Sequence, residues 1–104
     1  MTYSELKTAL EAVCDAVYEW EAPAGAKRFV VLSPYSTVGV IADNAVLLEV
    51  QRVQLDICWQ SDGDTLLADV KAALTAGDTP YSVEDVSYDP DYAAMRAIVQ
   101  LEVL

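Results

Sequence analysis

The longest alternation of apolar and polar residues in the chain runs from Val46 to Gln60. From Gln51 to Gln60 the two kinds of residue alternate strictly, which is typical of a strand with one buried side. The apolar side consists of Val53, Leu55, Ile57 and Trp59, and the polar side of Arg52, Gln54, Asp56 and Cys58. Before Gln51 the apolar residues occupy even numbers. The pattern therefore predicts a β-bulge or a change of sheet face near residues 51–53.

Two stretches have helical spacing. Residues 2–5 (TYSE) fit a capping box, so a first helix is predicted to begin there. Its apolar stripe consists of Leu6, Leu10, Val13 and Val17, and Cys14 lies within the same stretch. The segment from Val17 to Trp20 either continues this helix or forms a short strand. After several possible N-caps in residues 61–64, a second helix is predicted that ends at Gly77 and lies beside the first. Its stripe consists of Leu66, Leu67, Val70, Ala73 and Leu74.

A long connection separates the second predicted strand from the central one. Residues 28–33 (RFVVLS) are apolar and β-branched, and Pro34 is predicted to close that strand. Residues 35–44 then read as a loop that is too long for a tight hairpin, with a turn at Asp43-Asn44. The assembly loop predicted from this segment consists of Tyr35, Val38, Val40, Ile41, Asp43 and Asn44. Its apolar residues either fold back onto the core or become ordered only against a neighbouring subunit.

The C-terminal third predicts an antiparallel pair of strands. Tyr81 to Tyr88 forms the first, Asp89-Pro90-Asp91 the turn, and Tyr92 to Leu104 the second. The inward side of the last strand consists of Met95, Ala97, Val99, Leu101 and Val103. Together these elements predict a single α+β domain, residues 1–104, with an antiparallel or mixed sheet and both helices packed on one face.

Composition and charge disfavour several classes of function. Apolar residues make up 54% of the 104 residues, which is more than a lone domain of this size readily buries, so a partner is expected. The net charge of −11 disfavours direct binding of nucleic acids or anionic membranes. The chain has no His and no recognisable catalytic motif. Turn chemistry explains its paired acids, so we expect no metal and no cofactor.

Two further expectations follow from the residues. Cys14 and Cys58 belong to no metal-binding spacing and are expected to be free thiols. The sequence has no leader-like segment and no apolar run long enough to cross a bilayer, so assembly in the cytoplasm is expected.

In the order of its segments the chain resembles the small tail-terminator, or tail-completion, proteins of long-tailed phages and prophages. The resemblance is carried by MTYSEL (1–6), RFVVLSP (28–34), IADNAV (41–46), QRVQLDI (51–57), TPY (79–81) and AIVQLEV (97–103). The family pattern has a Gly-x-Pro after the first helix, where this chain has Cys14-Asp15-Ala16. If the resemblance holds, Val17 to Trp20 is the short strand that follows.

The resemblance implies a structural virion protein without catalytic activity. Such proteins form a ring, commonly hexameric, that caps the tail tube and joins it to the head-side connector. The implied partners are further copies of the chain, the tail tube protein and a head-closure protein, and DNA passes through the bore without specific binding. We expect the bore to be acidic, because fixed negative charge repels the phosphate backbone. The candidate bore acids are Glu49, Asp56, Glu84 and Asp85.

Two alternative functions remain open at the level of the sequence. One is a neighbouring head-closure component of the same assembly. The other is a small acidic inhibitor that mimics DNA, with carboxylates in place of phosphates. A DNA mimic is expected to be a monomer or dimer, whereas a ring component forms a closed oligomer.

Overall fold

The computed structural model describes the backbone of residues 1–42 and 45–104, and the side chains of residues 1–39 and 49–104. The elements are α1 (Tyr3–Glu11), β1 (Val17–Glu19), β2 (Phe29–Ala42), β3 (Ala45–Trp59), α2 (Leu66–Ala76), β4 (Tyr81–Asp89) and β5 (Ala94–Val103). Across these residues the strands form one five-stranded sheet in the order β1-β2-β3-β5-β4. β1 pairs with β2 in parallel, and the other neighbours are antiparallel. The predicted α+β fold with a mixed sheet is confirmed.

Both helices pack on the same side of the sheet, called here the helix face; the opposite side is called the open face. On the helix face the central strand contributes Val53, Leu55 and Ile57, all with 0% exposure. Leu6 and Leu10 from α1 pack into the same cluster. The remaining buried members are Cys14, Val30, Leu32, Leu66, Val70, Leu74, Ala97, Val99, Leu101 and Val103. The predicted buried side of β3 is therefore confirmed, although Trp59 is only half-buried.

The first helix is shorter than its apolar stripe predicts. The capping box is present, with the Glu5 amide donating to Thr2 Oγ1 (3.2 Å) and the Thr2 amide donating to Glu5 Oε1 (3.0 Å). The helix ends at Glu11, and the turn after it is tightened: the Val13 amide donates to the Leu10 carbonyl, three residues back, and the same carbonyl accepts from the Cys14 amide. Cys14 thus follows the helix. The strand alternative for the next segment is confirmed, with β1 at Val17–Glu19.

The second helix follows its prediction closely. It spans Leu66–Ala76 with Gly77 at its C-cap, and it contacts α1. Its N-terminus is capped through Asp64, whose Oδ1 accepts from the Leu66 amide (2.9 Å). Arg28 holds the same carboxylate, with 2.8 Å between its Nε and Asp64 Oδ2. This pair ties the start of β2 to the start of α2, across a sequence separation of 36 residues.

The predicted loop at residues 35–44 is wrong for residues 35–42, which continue β2. Pro34 does not close the strand, because β1 pairs only as far as Leu32 and a bulge follows at Tyr35. A proline is tolerated where a strand has a free side or a bulge. Asp43 and Asn44 lie outside the described residues. Near residues 51–53, where a bulge was predicted on β3, the bulge lies on β2 opposite Arg52 and Val53. The extra residue on β3 itself comes earlier, at position 47, opposite the step from Val40 to Ile41.

The open face is covered at one end of the sheet. Cys58 was predicted on the polar side of β3, but it is only 1% exposed and packs with Phe29, Val31 and Ala22. The rings of Phe29 and Tyr92 meet edge to face, with 5.2 Å between their centroids. The open face therefore has a small apolar core of its own, because β2 contributes apolar residues to both faces.

The C-terminal hairpin is confirmed with altered bounds. β4 spans Tyr81–Asp89, and β5 spans Ala94–Val103 instead of the predicted 92–104. Four of the five residues predicted to face inward on β5 are buried, and Met95 is half-buried. β4 contrasts with β5, because its residues 82–88 are all exposed.

The core assignment predicts a large loss of stability on truncation of Leu55. Replacing Leu55 with Ala should lower the free energy of unfolding by about 2 to 5 kcal/mol, because the side chain is fully buried. Glu102→Ala, an exposed change on the adjacent strand, should alter it by less than about 0.5 kcal/mol. Chemical denaturation of both variants measures the difference. Equal midpoints would place the core elsewhere.

Candidate functional site

The most prominent surface feature is a two-stranded arm formed by residues 38–42 of β2 and 45–50 of β3. β5 ends at Val103, opposite Gln51, and β1 pairs only with Val30–Leu32. Beyond those points the arm has no further strand beside it among the described residues. The molecule measures 51 × 26 × 20 Å, so it is much longer than it is wide. The arm leaves backbone groups free on both of its edges.

The described part of the arm is mixed in character. Val38 and Val50 are cross-strand partners, and both are half-buried. Glu49 is exposed, and by strand alternation it belongs to the helix face, whereas Val38 and Val50 belong to the open face. The side chains of Val40 and Ile41, which were predicted for the assembly loop, lie outside the described residues. Tyr35 is exposed at the bulge where the arm begins.

A groove of about 630 Å³ lies between the root of the arm and the start of β4. Its walls include Tyr35, Arg52, Tyr81, Glu102 and Leu104. Arg52 Nε lies 3.4 Å from Glu102 Oε1, and both side chains are exposed, so this ion pair contributes little to stability. The groove contains one hydroxyl–carboxylate pair, Ser82 and Glu84, and both side chains are exposed, so the groove resembles a binding surface more than a catalytic one.

β4 is the second candidate surface, and its two sides differ in chemistry. Val83, Val86 and Tyr88 pair with Val99, Ala97 and Met95 of β5, which places them on the helix face. They are 38%, 46% and 60% exposed, because α1 and α2 lie over the middle of the sheet. The other side of β4 carries Ser82, Glu84, Asp85 and Ser87. The strand thus has one apolar side and one acidic side, both exposed.

A bulge at Glu84 produces this separation. The register of β4 against β5 shifts between Val83 and Asp85, so Glu84 is the extra residue. Val83 and Val86 are three positions apart, yet the bulge brings them to the same side. Hydrogen bonds between the side chains of Ser82 and Glu84, and of Ser87 and Asp85, fix the acids on the other side.

The predicted bore acids fall into different environments. Glu84 and Asp85 lie together, exposed on the open-face side of β4, whereas Glu49 lies on the arm. Asp56 is half-buried, with 2.9 Å between its Oδ2 and Nη2 of Arg96. The same guanidinium approaches Asp89 at 3.4 Å. Asp56 is therefore neutralised by its partner, and its role as a free acid in a bore stays a prediction with little support.

No metal-binding constellation is found in the part of the chain that the structure describes. Within it, no three His, Cys, Asp or Glu side chains are close enough to hold a metal ion. Cys14 and Cys58 are free thiols, as predicted, and both are buried, which was not predicted for Cys58. No helix among the described residues is long and apolar enough to cross a membrane.

Sequence reasoning found the individual residues of these surfaces but missed their arrangement. It read residues 38–42 of the arm as part of a loop, although it placed residues 46–50 in the central strand, and it assigned β4 no particular face. The signal for the arm is the β-branched content of residues 37–41, and the signal for the bulge is the spacing of three between Val83 and Val86.

A scan against protein-family models and a search of curated proteins both find no match for this chain. The resemblance to tail-terminator proteins therefore rests on the sequence pattern alone.

The buried thiol of Cys58 predicts a loss of stability at alkaline pH. Burial raises the pKa of Cys58 from 9.0 to about 11. The unfolded chain releases this proton at lower pH than the folded chain, so the stabilisation is complete below about pH 9 and is lost as the pH rises to about 11. Burial also raises the pKa of Tyr3, which acts in the same direction.

Denaturation of the parent chain and of Cys58→Ala, both under reducing conditions, tests this assignment. The free energy of unfolding should fall less steeply between about pH 9 and about pH 11 in the variant, whatever its absolute value. Identical slopes would show that ionisation of Cys58 does not contribute.

Proposed function

We propose that this chain is a structural subunit of a closed ring of the tail-terminator type, which caps a tail tube and joins it to a head-side connector. The observation that supports the proposal most is the arm. A two-stranded ribbon is only marginally stable alone in water, and here it extends beyond the helix layer with both edges free. Contact with another subunit would supply the missing neighbours.

Closure of a ring suits this geometry. The arm extends away from the helix layer of an elongated molecule. If the arm of one copy binds the body of the next, the contact is heterologous, because one surface of a subunit meets a different surface of its neighbour. Repeated by rotation, such a contact closes when the angle between subunits is a whole fraction of a turn. The groove at the root of the arm is a surface that such a contact can cover.

The charge supports passage of DNA over retention of DNA. The chain carries a net charge of −11 and has six Lys and Arg residues. Four of them already form ion pairs with carboxylates, namely Lys7, Arg28, Arg52 and Arg96. Few cations are left to bind phosphates. The first candidates for an acidic bore are Glu84 and Asp85, which are exposed together on the open-face side of β4; Glu49 is also exposed, but it belongs to the helix face, so it would line a bore only if that face did.

Ring formation is tested by size-exclusion chromatography with light scattering, together with electron microscopy of negatively stained particles. The parent should form a closed oligomer of the 11.3 kDa chain under assembly conditions, with tail tube protein present if needed. Val38→Asp should weaken assembly, because it places a charge on the half-buried open-face side of the arm. Circular dichroism should show an unchanged fold.

Thr37→Asp is the matched control, since Thr37 precedes Val38, is exposed and faces the other side of the strand. It should assemble like the parent. A parent that stays monomeric or dimeric under all these conditions would contradict the ring, and would favour the acidic DNA mimic instead.

The acidic bore makes a separate prediction. Assembled rings should not retain duplex DNA at physiological salt, where the Debye length is about 8 Å. Rings of the double variant Glu84→Lys, Asp85→Lys should retain it if these acids face the bore, and electrophoretic mobility of labelled DNA measures the difference. Retention of DNA by the parent ring would contradict an acidic bore.

A further inference from the structure

The outer edge of β4 is the longest sheet edge that the main body of the fold leaves free. β4 has nine residues and is the last strand in the sheet, and across residues 1–42 and 45–104 no strand pairs with its outer side. The opposite edge strand, β1, has only three residues. Short edge strands limit unwanted pairing, whereas a long free edge can accept an additional strand through its backbone N–H and C=O groups.

The side chains of β4 define what an added strand must carry. A neighbouring strand places its own side chains alternately on the two sides of the sheet, next to those of β4. On the helix face it meets Val83, Val86 and Tyr88, whose exposed surface is apolar. On the open face it meets the carboxylates of Glu84 and Asp85. The complementary strand alternates apolar and basic residues.

We propose that the edge of β4 binds an extended segment of another protein by strand addition, and that this segment alternates apolar with Lys or Arg side chains. Backbone hydrogen bonds supply affinity, the apolar side chains cover Val86 and its neighbours, and the basic ones compensate Glu84 and Asp85. An added strand extends the sheet sideways and leaves the open face uncovered. The site does not rest on the proposed ring. It competes with one part of that proposal, because a bound basic strand would compensate Glu84 and Asp85, which then could not serve as free acids of a bore.

The charges on β4 favour a basic strand over a second copy of the chain. Among the described residues, neither Glu84 nor Asp85 lies within 4.0 Å of a Lys or Arg nitrogen, whereas Asp89 is already paired with Arg96. Pairing β4 with β4 of another copy would bring these acids opposite one another, which is destabilising. The β1 edge of a second copy offers three residues, and its Glu19 is held by Lys7 at 2.9 Å.

The acids and the bulge also act as a filter. Charged side chains and bulges on an edge strand disfavour pairing with most segments. A segment with basic side chains at alternate positions converts the same carboxylates from a penalty into an attraction. The edge is thereby closed to copies of its own acidic chain and open to a basic strand.

The test uses the full chain and three fluorescein-labelled synthetic peptides as long as β4. The first alternates Val and Lys, the second alternates Val and Glu, and the third has the composition of the first with all Val residues preceding all Lys residues. Fluorescence anisotropy measures binding, and hydrogen exchange reports protection of β4 amides. The Val/Lys peptide should bind and protect β4, and the other two should bind more weakly.

Two changes in β4 sharpen the test. The double variant Glu84→Lys, Asp85→Lys should lower the affinity for the Val/Lys peptide about tenfold or more, because two exposed ion pairs are replaced by repulsions between like charges. The same variant should gain affinity for the Val/Glu peptide. Val86→Asp should weaken the Val/Lys peptide through the apolar side. Asp15→Lys, an exposed change at the opposite edge of the sheet, is the matched control and should bind as the parent does.

Three results would overturn the proposal. The first is absence of binding by the Val/Lys peptide, which would mean that the bulge and acids simply protect the edge. The second is equal binding of the block peptide, or binding that charge reversal does not alter, which would indicate attraction without strand pairing. The third is self-association of the parent that Val86→Asp abolishes, which would assign the edge to a second copy.

Discussion

The architecture depends on a mismatch of length between the central strand and the helices that cover it. β3 has fifteen residues and α2 has eleven, which corresponds to about 50 Å of strand against about 16 Å of helix. The helices can bury only part of β3, and they bury the part that carries Val53, Leu55 and Ile57. The rest of the strand has to leave the core, and it does so together with β2 as the arm.

The change of apolar phase in β3 follows from the same constraint. From Val53 onwards the apolar residues face the helices, whereas Val50 has the opposite parity and lies on the open face. The strand needs no bulge of its own for this change, since the requirement for an apolar helix face ends where the helices end. The bulge at Tyr35 on β2 lies at the same level of the sheet, so the arm begins where both strands change their environment.

The open face is stabilised by different means. It has no helix layer in the described structure, and its small core of Phe29, Val31 and Cys58 is closed by side chains from loops, such as Tyr92. Beside this core, Arg96 joins Asp56 of β3 to Asp89 at the end of β4. This ion-pair cluster lies across three neighbouring strands. It uses two acids of a strongly acidic chain for structure and leaves Glu84 and Asp85 uncompensated.

The sequence predicted those elements whose information is local. The capping box at residues 2–5, the stripe of α2 and the alternation around Leu55 each specify their structure within a few residues, and all three are confirmed. The features that the sequence did not predict correctly are determined by tertiary contacts. The end of α1 is set by the need to place β1 beside β2, and Pro34 is tolerated only because β1 stops at Leu32.

The candidate surfaces were the hardest part to predict. Their residues are visible in the sequence, but the two sides of β4 exist only because a bulge places Glu84 and Asp85 on one side. The compensation of Asp56 by Arg96 joins residues 40 positions apart. No periodicity within either strand indicates such a pairing, because it is created by the order of the strands in the sheet.

The arm and the edge of β4 differ in local charge. Copies of a chain with a net charge of −11 repel one another, so a contact between copies is least costly where the local charge is close to balance. At the root of the arm Arg52 pairs with Glu102, and Glu49 is the one acid among the described side chains of the arm. The outer half of β4 carries two acids, Glu84 and Asp85, without a Lys or Arg nitrogen within 4.0 Å among the described residues. Electrostatics therefore favours the arm for the proposed contacts between copies, and it favours the edge of β4 for the proposed partner of opposite charge.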